Sequence, residues 1–178
     1  MRVTTLARTV WDQLAAATRQ RTPFSLAWVA TGSAPRAMIL RGVDAPELFL
    51  ATDRRSAKCA ELVRDPRIGV TVLDGDAGIQ VRLRGTGDLV EDPVLRRRAW
   101  NSFGPGTRAL FSAPLAPGTP IDDGTELTPD TDEATLFDRF AWLRIRVDEI
   151  DHLDLGVPGH RRHLMRRDDG WAERRVVP

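Results

Sequence analysis

Apolar residues recur at three- and four-residue steps near the start of the chain, and further along they alternate with polar residues. The early repeat gives the apolar stripe of a helix on one face of residues 5–20, formed by Leu6, Val10, Leu14 and Ala17. Pro23 cannot continue a helix, so the pattern predicts that the chain becomes extended after it.

The segments after Pro23 have strand lengths, and glycine, proline or aspartate turns separate them. Six predicted strands have a short apolar run or an alternation, and they cover residues 24–31, 36–43, 47–52, 67–73, 79–84 and 141–147. Two more, residues 160–167 and 171–177, are predicted on either side of the turn at residues 168–170. Turns at residues 32–35 and 156–159 are among those that bound them. Short strands with frequent turns predict a mainly β fold, a small antiparallel barrel with helices packed outside.

Two short helices and one long loop interrupt the predicted strands. Ser56 is a good N-cap for a helix with Cys59, Leu62 and Val63 on its apolar face, and a second helix begins at Pro93. Residues 112–134 contain four of the twelve prolines and few large apolar groups, which predicts a long loop. That loop is interpreted as a lid, a dimer arm or a mobile segment.

Composition narrows the class of protein. The 178 residues suit one domain spanning 1–178, and a net charge of +1 gives no general attraction for nucleic acid. Cys59 is the only cysteine, so no intramolecular disulfide can form. The first residues lack a signal-peptide pattern and no apolar stretch is long enough to span a bilayer, so we predict a cytoplasmic protein without a membrane segment.

Cations are crowded at the predicted start of the helix that Ser56 caps. Arg54, Arg55 and Lys58, the only lysine in the chain, stand where peptide dipoles already place positive charge. A bound phosphate would reverse this repulsion by accepting hydrogen bonds from the helix N–H groups, the serine hydroxyl and the ammonium. The same residues fit equally well a solvated surface cluster whose positive charge Asp53 and Glu61 offset. The sequence leaves both interpretations open.

Further motifs make the chain resemble the pyridoxamine 5'-phosphate oxidase superfamily of FMN-binding split barrels. The motifs follow one another with matching separations: residues 35–41 (PRAMILR), 48–53 (LFLATD), 55–58 (RSAK), 65–70 (DPRIGV), 79–82 (IQVR) with Gly85, and His160-Arg161 ten residues before Trp171. The resemblance implies a split antiparallel β-barrel of six or more strands with peripheral helices. It also implies an FMN cofactor and a homodimer with FMN at the subunit interface.

The resemblance implies a cofactor-binding role for particular positions. Arg36 matches an arginine on the phosphate and ribityl chain, and the Met38 and Leu40 backbone would lie along the flavin. Thr52 matches a threonine beside the phosphate or ring, while Gln80 and Arg161 match residues near the ring, the glutamine often from the other subunit. The phosphate-gripping motif corresponds to Ser56, Ala57 and Lys58.

Departures from the family pattern bear on the substrate. The vitamin oxidase has an Arg-x-His just before the matched C-terminal arginine, where this chain has Val157 and Gly159. Ala57 replaces a basic residue, and the chain has no tyrosine to contact the phosphate. The sequence therefore resembles the bacterial relatives of the oxidase rather than the biosynthetic enzyme, and it implies redox chemistry on an unidentified small molecule.

Other classes of function remain as alternatives or find no support. A flavin carrier or sensor without turnover is the main alternative, and a true pyridoxamine phosphate oxidase and a nucleic-acid binder are less favoured. His160 and His163 lack a third ligand at metal-site spacing, so we predict no metal. No hydrolase, Walker or dinucleotide-binding motif is present.

Overall fold

The computed structural model describes residues 4–32, 34–156 and 158–178. Ser33 and Val157, which belong to two of the predicted turns, lie outside the described residues. The strands are β1 (Leu26–Thr31), β2 (Ala34–Asp44), β3 (Glu47–Asp53), β4 (Arg67–Asp74), β5 (Ile79–Leu89), β6 (Phe140–Asp154), β7 (Arg161–Arg166) and β8 (Arg174–Val176). The helices are α1 (Thr5–Arg19), α2 (Ala57–Arg64), α3 (Pro93–Asn101), α4 (Pro105–Arg108) and α5 (Glu133–Arg139).

The strands form one antiparallel sheet that closes on itself. Their order is β3-β2-β1-β4-β5-β6-β7-β8, and an additional pairing of β3 with β6 joins the first six strands into a barrel. The last two strands extend the sheet beyond β6. This confirms the predicted mainly β fold, a split antiparallel barrel with helices at its periphery.

Closure depends on β6, the longest strand, and on a glycine in its neighbour β5. β6 pairs with β3 along its first half, with β5 along most of its length and with β7 along its second half. The β5–β6 register shifts between Arg84 and Gly85. A Cβ on Gly85 would lie 1.8 Å from the Arg146 carbonyl oxygen, so only glycine fits at this bulge.

One hydrophobic core, mainly aliphatic but including Trp11 and Trp171, fills the barrel and continues beneath α1. Strand residues at alternate positions point inward, as the alternation in sequence predicts: Val29, Val70, Val81, Leu83, Leu143 and Ile145 are all nearly inaccessible to solvent. Val10 and Leu14 of α1 are fully buried in the same core. Burial of this apolar face, rather than helix propensity alone, stabilises α1.

A second, aromatic cluster covers the barrel beside β3 and β6. Trp100 of α3 and Phe140 of β6 are fully buried, and Phe103, Phe111 and Leu136 pack with them. The segment around this cluster also reaches the start of α2, because the Arg139 carbonyl accepts a hydrogen bond from the Arg54 backbone N–H. The cluster therefore holds in place the turn that leads into α2.

Several local predictions were wrong. Pro23–Ser25 forms a 3-10 turn instead of the beginning of β1, because the Thr22 side chain caps it. Val63 is 82% exposed and does not belong to the buried face of α2. The region predicted as a loop ends at α5, whose first turn is capped by the Asp132 carboxylate.

The rest of that predicted loop, residues 112–132, has no helix or strand but is attached to the barrel. The Asp130 backbone N–H donates to the Ser112 carbonyl, and Arg55 donates to the carbonyls of Ala113 and Pro114. The first contact joins the two ends of the segment, and the Arg55 contacts place it against the start of α2.

Among the described residues, no helix combines the length and the apolar character that crossing a membrane requires.

Candidate functional site

Lys58, Thr52 and Ser56 meet where β3 ends and α2 begins. The Lys58 ammonium donates to Thr52 Oγ1 at 2.7 Å and to Ser56 Oγ at 3.1 Å. Both hydroxyl residues are buried and Lys58 is half-buried. Across residues 4–32, 34–156 and 158–178, no carboxylate forms an ion pair with this ammonium. The cation is thus held by neutral oxygens alone.

The surroundings of Lys58 disfavour its charged form when no anion is bound. Burial lowers the pKa of Lys58 below its ordinary value, and the nearby Arg36 guanidinium lowers it further. Burial raises the pKa of the neighbouring Cys59 thiol, which disfavours a thiolate counter-ion. An incoming anion would remove the penalty on the charged lysine.

The start of α2 supplies further donors to the place where Thr52, Ser56 and Lys58 meet, which we call the Lys58 corner. Ser56 occupies the N-cap position, as predicted, but its side chain accepts from Lys58 instead of capping the helix. The Cys59 N–H already donates to the Ser56 carbonyl at 3.0 Å. The N–H groups of Ala57 and Lys58, earlier in the first turn, have no acceptor within the helix. They add to the ammonium and the two hydroxyls, and this donor set fits a phosphate group.

Arg36 lies next to this corner but is already paired. Its guanidinium forms a two-pronged ion pair with Glu61, with Nη2–Oε1 at 3.0 Å and Nη1–Oε2 at 3.1 Å. The buried Thr31 hydroxyl accepts from Arg36 and donates to Glu61. These hydrogen bonds lower the pKa of the Glu61 carboxyl. Arg36 can reach an anion only if its bond with Glu61 loosens.

The other cations at the helix start have acidic partners. Arg55 binds Asp53 through Nε and Nη2, at 3.0 and 2.7 Å, and Arg54 lies 3.6 Å from Glu91. The reading of this region as a charge cluster offset by Asp53 and Glu61 therefore holds in part: Asp53 neutralises Arg55, but Arg54 faces Glu91, and Glu61 pairs with Arg36. It does not hold for Lys58. The contribution of Thr31 was missed, since nothing in its local sequence indicates that it faces Glu61.

Met38 and Leu40 share the inward face of β2 with Arg36. Leu40 is buried, and Met38 packs against the barrel core. Their side chains therefore stabilise the barrel, and only their backbone is left to contact a ligand.

Gln80 and Arg161 lie at the opposite end of the barrel from Lys58. Leu62 of α2 lies against Gly87 of β5, and Gln80 is seven residues earlier on that strand, a separation of about 23 Å. Arg161 pairs with Asp154, which itself pairs with Ile79, so it lies at the same end as Gln80. One chain therefore does not bring these two residues to the Lys58 corner.

Residues 10–153 match the family model described as pyridoxamine 5'-phosphate oxidase. Most of the barrel and all of the Lys58 corner fall within that match. The chain belongs to the pyridoxamine 5'-phosphate oxidase family. No curated protein matches it significantly in sequence.

Solved structures share the fold at low sequence identity. A pyridoxamine 5'-phosphate oxidase-related, FMN-binding protein from Nostoc punctiforme superposes with a TM-score of 0.77 at 21% identity, covering 100% of both chains. PhzG from Burkholderia lata, solved in complex with tetrahydrophenazine-1-carboxylic acid, gives 0.75 at 19% identity, covering 97% of this chain and 91% of its own.

A Clostridium acetobutylicum protein related to general stress protein 26 gives a TM-score of 0.60 at 13% identity, covering 92% of this chain and 96% of its own. At such identities the likeness is one of fold.

Proposed function

We propose that this chain is an FMN-binding flavoprotein, an oxidoreductase that acts on a small molecule. The observation that carries the proposal is the Lys58 ammonium, which is half-buried beside the start of α2 and held only by hydroxyls. A phosphate monoester supplies the missing negative charge and accepts from the same donors. The FMN-binding relative from Nostoc punctiforme supports the choice of cofactor.

The residues that would hold the cofactor divide into two groups. Thr52, Ser56, Lys58 and the Ala57 backbone would bind the phosphate, with Arg36 beside them. The Met38 and Leu40 backbone would lie along the flavin. Gln80 and Arg161 would come from a second copy of the chain, because their own chain holds them too far from Lys58.

A homodimer is therefore part of the proposal, and the outer face of the barrel supports it. Leu26, Trp28, Ile39 and Leu73 are each about 40% exposed there and lie on neighbouring strands β1, β2 and β4. Contiguous exposed apolar residues of this kind mark interaction surfaces. Gln80 pairs with Leu73 in the same face, so a second copy docked there would cover it.

Bound FMN supplies hydride-transfer chemistry that no side chain of the chain can perform. The chain's own residues bind and orient the cofactor, and the dimer interface excludes water from the ring. A cation such as Arg161 beside the ring would stabilise the negative charge that reduction places on it. We propose no protein acid or base, and we take residues 1–178 as one FMN-binding domain.

Titration with FMN and riboflavin tests this proposal directly. The two flavins differ by the phosphate alone, so we expect FMN to bind at least tenfold more tightly, followed by quenching of flavin fluorescence. Light scattering should give the mass of a dimer for the loaded protein. Equal affinity for the two flavins, or a loaded monomer, would contradict the proposal.

Turnover separates an oxidoreductase from a carrier or sensor. The FMN-loaded protein should accept electrons from NADH or NADPH and pass them to oxygen or a dye, whereas a carrier would retain FMN without consuming either nucleotide.

A further inference from the structure

An arginine pair on the outer face of the barrel shares a single buried carboxylate. Asp151 of β6 is 3% exposed. Arg162 of β7 donates to it through Nε and Nη2, both at 3.0 Å, and Arg82 of β5 approaches it at 2.8 Å from the other side. Two guanidinium groups against one carboxylate leave a net charge of about +1 in this cluster, defined by Arg82, Asp151 and Arg162.

The hydrogen-bonding capacity of these arginines is not fully used. Arg82 touches Asp151 through Nη2, and its Nε is buried without a partner among the described residues. Arg162 spends one edge of its guanidinium on Asp151. The side chains of Arg82 and Arg162 are partly exposed, and Asp151 fixes both guanidinium groups. Their solvent-facing donors, which do not include the buried Arg82 Nε, are therefore positioned in advance, which lowers the entropic cost of binding an oxyanion.

The cluster lies beside Gln80. Arg82 is two residues along β5 from Gln80 and therefore on the same face of the sheet. Gln80 pairs with Leu153, which in turn pairs with Arg162, so two strand spacings, about 10 Å, separate the Gln80 and Arg162 backbones. A molecule lying against Gln80 would be within reach of both arginines.

We infer that Arg82 and Arg162, held by Asp151, bind the oxyanion of a carboxylate- or phosphate-bearing substrate next to the flavin. This inference rests on the proposed function for the position of the flavin, which Gln80 of the second copy would contact. It assigns the substrate class to anions, and it supplies a cationic recognition group in a chain that has Val157 and Gly159 where the vitamin oxidase has Arg-x-His. Asp151 acts as a positioning residue.

A second Arg–acid–Arg cluster on the same face, formed by Arg84, Glu149 and Arg166, provides a matched control. Glu149 of β6 binds Arg84 at 3.1 Å and Arg166 at 2.9 Å, in the same Arg–acid–Arg arrangement. These arginines are more exposed than Arg82 and Arg162, and Arg84 is four residues along β5 from Gln80. Replacing Arg84 or Arg166 removes the same charge from the same face without touching the proposed oxyanion site.

The test uses benzoate, phenyl phosphate and the uncharged benzamide as probes of the FMN-loaded protein. Calorimetry measures binding, and a shift of the flavin absorption band shows that a probe lies near the ring. We expect benzoate or phenyl phosphate to bind at least tenfold more tightly than benzamide. The preferred probe of the two identifies the oxyanion as a carboxylate or a phosphate.

Arg82→Gln and Arg162→Gln should each raise the dissociation constant of the preferred anion at least tenfold, while Arg84→Gln and Arg166→Gln change it less than twofold. Each single variant leaves Asp151 paired with the other arginine, so folding should be retained. The affinity for FMN should stay within threefold in all of these variants.

The inference would be overturned if the Arg84 and Arg166 variants lost as much anion affinity as the Arg82 and Arg162 variants. It would also be overturned if the anions bound no more tightly than benzamide. Failure of the wild-type chain to bind FMN would instead contradict the proposed function. In that case, calorimetry of anion binding to the same variants without FMN would still decide whether the anion site exists.

Discussion

The start of α2 and the outer face of β5, β6 and β7 both concentrate basic side chains, but they neutralise them differently. On the outer face, four arginines share two carboxylates, Asp151 and Glu149. At the start of α2, the half-buried Lys58 ammonium donates to the hydroxyls of Thr52 and Ser56 and has no carboxylate partner in the part of the chain that the structure describes. Burial of an unpaired cation is costly, so Lys58 has most to gain from an anion, while the outer-face arginines gain less.

Removal of the Lys58 ammonium should change FMN affinity more than any other substitution below, because this cation has no acidic partner among the described residues. Lys58→Ala deletes a charge-assisted hydrogen bond to the phosphate, worth about 1.5–3 kcal/mol, so we expect FMN affinity to fall about 10- to 150-fold. Riboflavin affinity, measured by the same fluorescence titration, should change less than twofold. The apoprotein should melt at or above the wild-type temperature, because the variant no longer buries a charge.

If Lys58→Ala weakened FMN and riboflavin equally, the lysine would serve the fold or the ring and not the phosphate.

Raising the pH should weaken FMN binding as Lys58→Ala does, because it also removes the charge of Lys58. The lowered pKa of Lys58 means that the free protein loses this proton at a lower pH than an ordinary lysine does, so FMN affinity should decline as pH rises into that range. Lys58→Arg keeps its charge there and should flatten the decline. The comparison requires FMN titrations at several alkaline pH values; parallel curves for the two proteins would rule out Lys58 as the titrating group.

Glu61→Gln should have a smaller effect of opposite sign. It frees Arg36 from its ion pair and adds positive potential beside Lys58, so FMN should bind up to about tenfold more tightly at low salt. Thr31→Val, which leaves the ion pair and its charges in place, serves as the control. Unchanged or weaker FMN binding by Glu61→Gln would show that Arg36 does not reach the phosphate.

The same variant should alter stability in acid. The folded-state pKa of Glu61 is lowered, so its contribution is present above the ordinary glutamate value and is lost as pH falls through the folded value. Glu61→Gln should remove that part of the acid destabilisation, measured as melting temperature against pH.

Arg55→Ala should change FMN affinity least, by less than about threefold. Asp53 already neutralises this guanidinium, so its loss removes little potential from the corner. The substitution also breaks the contacts with Ala113 and Pro114, so limited proteolysis should show residues 112–132 becoming more accessible. A loss of FMN affinity as large as that of Lys58→Ala would remove the distinction between paired and unpaired cations.

Local features of the fold and site followed from the sequence because neighbouring residues determine them. The stripe of Val10 and Leu14 predicted α1, and alternation predicted most strands. Ser56 and Lys58 are two residues apart at a helix start, so their meeting needed only that helix to form. Pro23–Ser25 and Val63 were misread because an apolar pattern shows neither the Thr22 side-chain cap nor which side of α2 is left exposed to solvent.

Contacts between distant strands were decided by the tertiary structure. The amino-acid sequence by itself established the strand-rich pattern, the family resemblance and a cation cluster that fits a phosphate. Only the closed barrel placed Glu61 on Arg36, left Lys58 without an acid, and brought Arg82 and Arg162 to Asp151. Such pairs depend on strand register, which hydrogen-bond ladders and the bulge at Gly85 fix across scores of intervening residues.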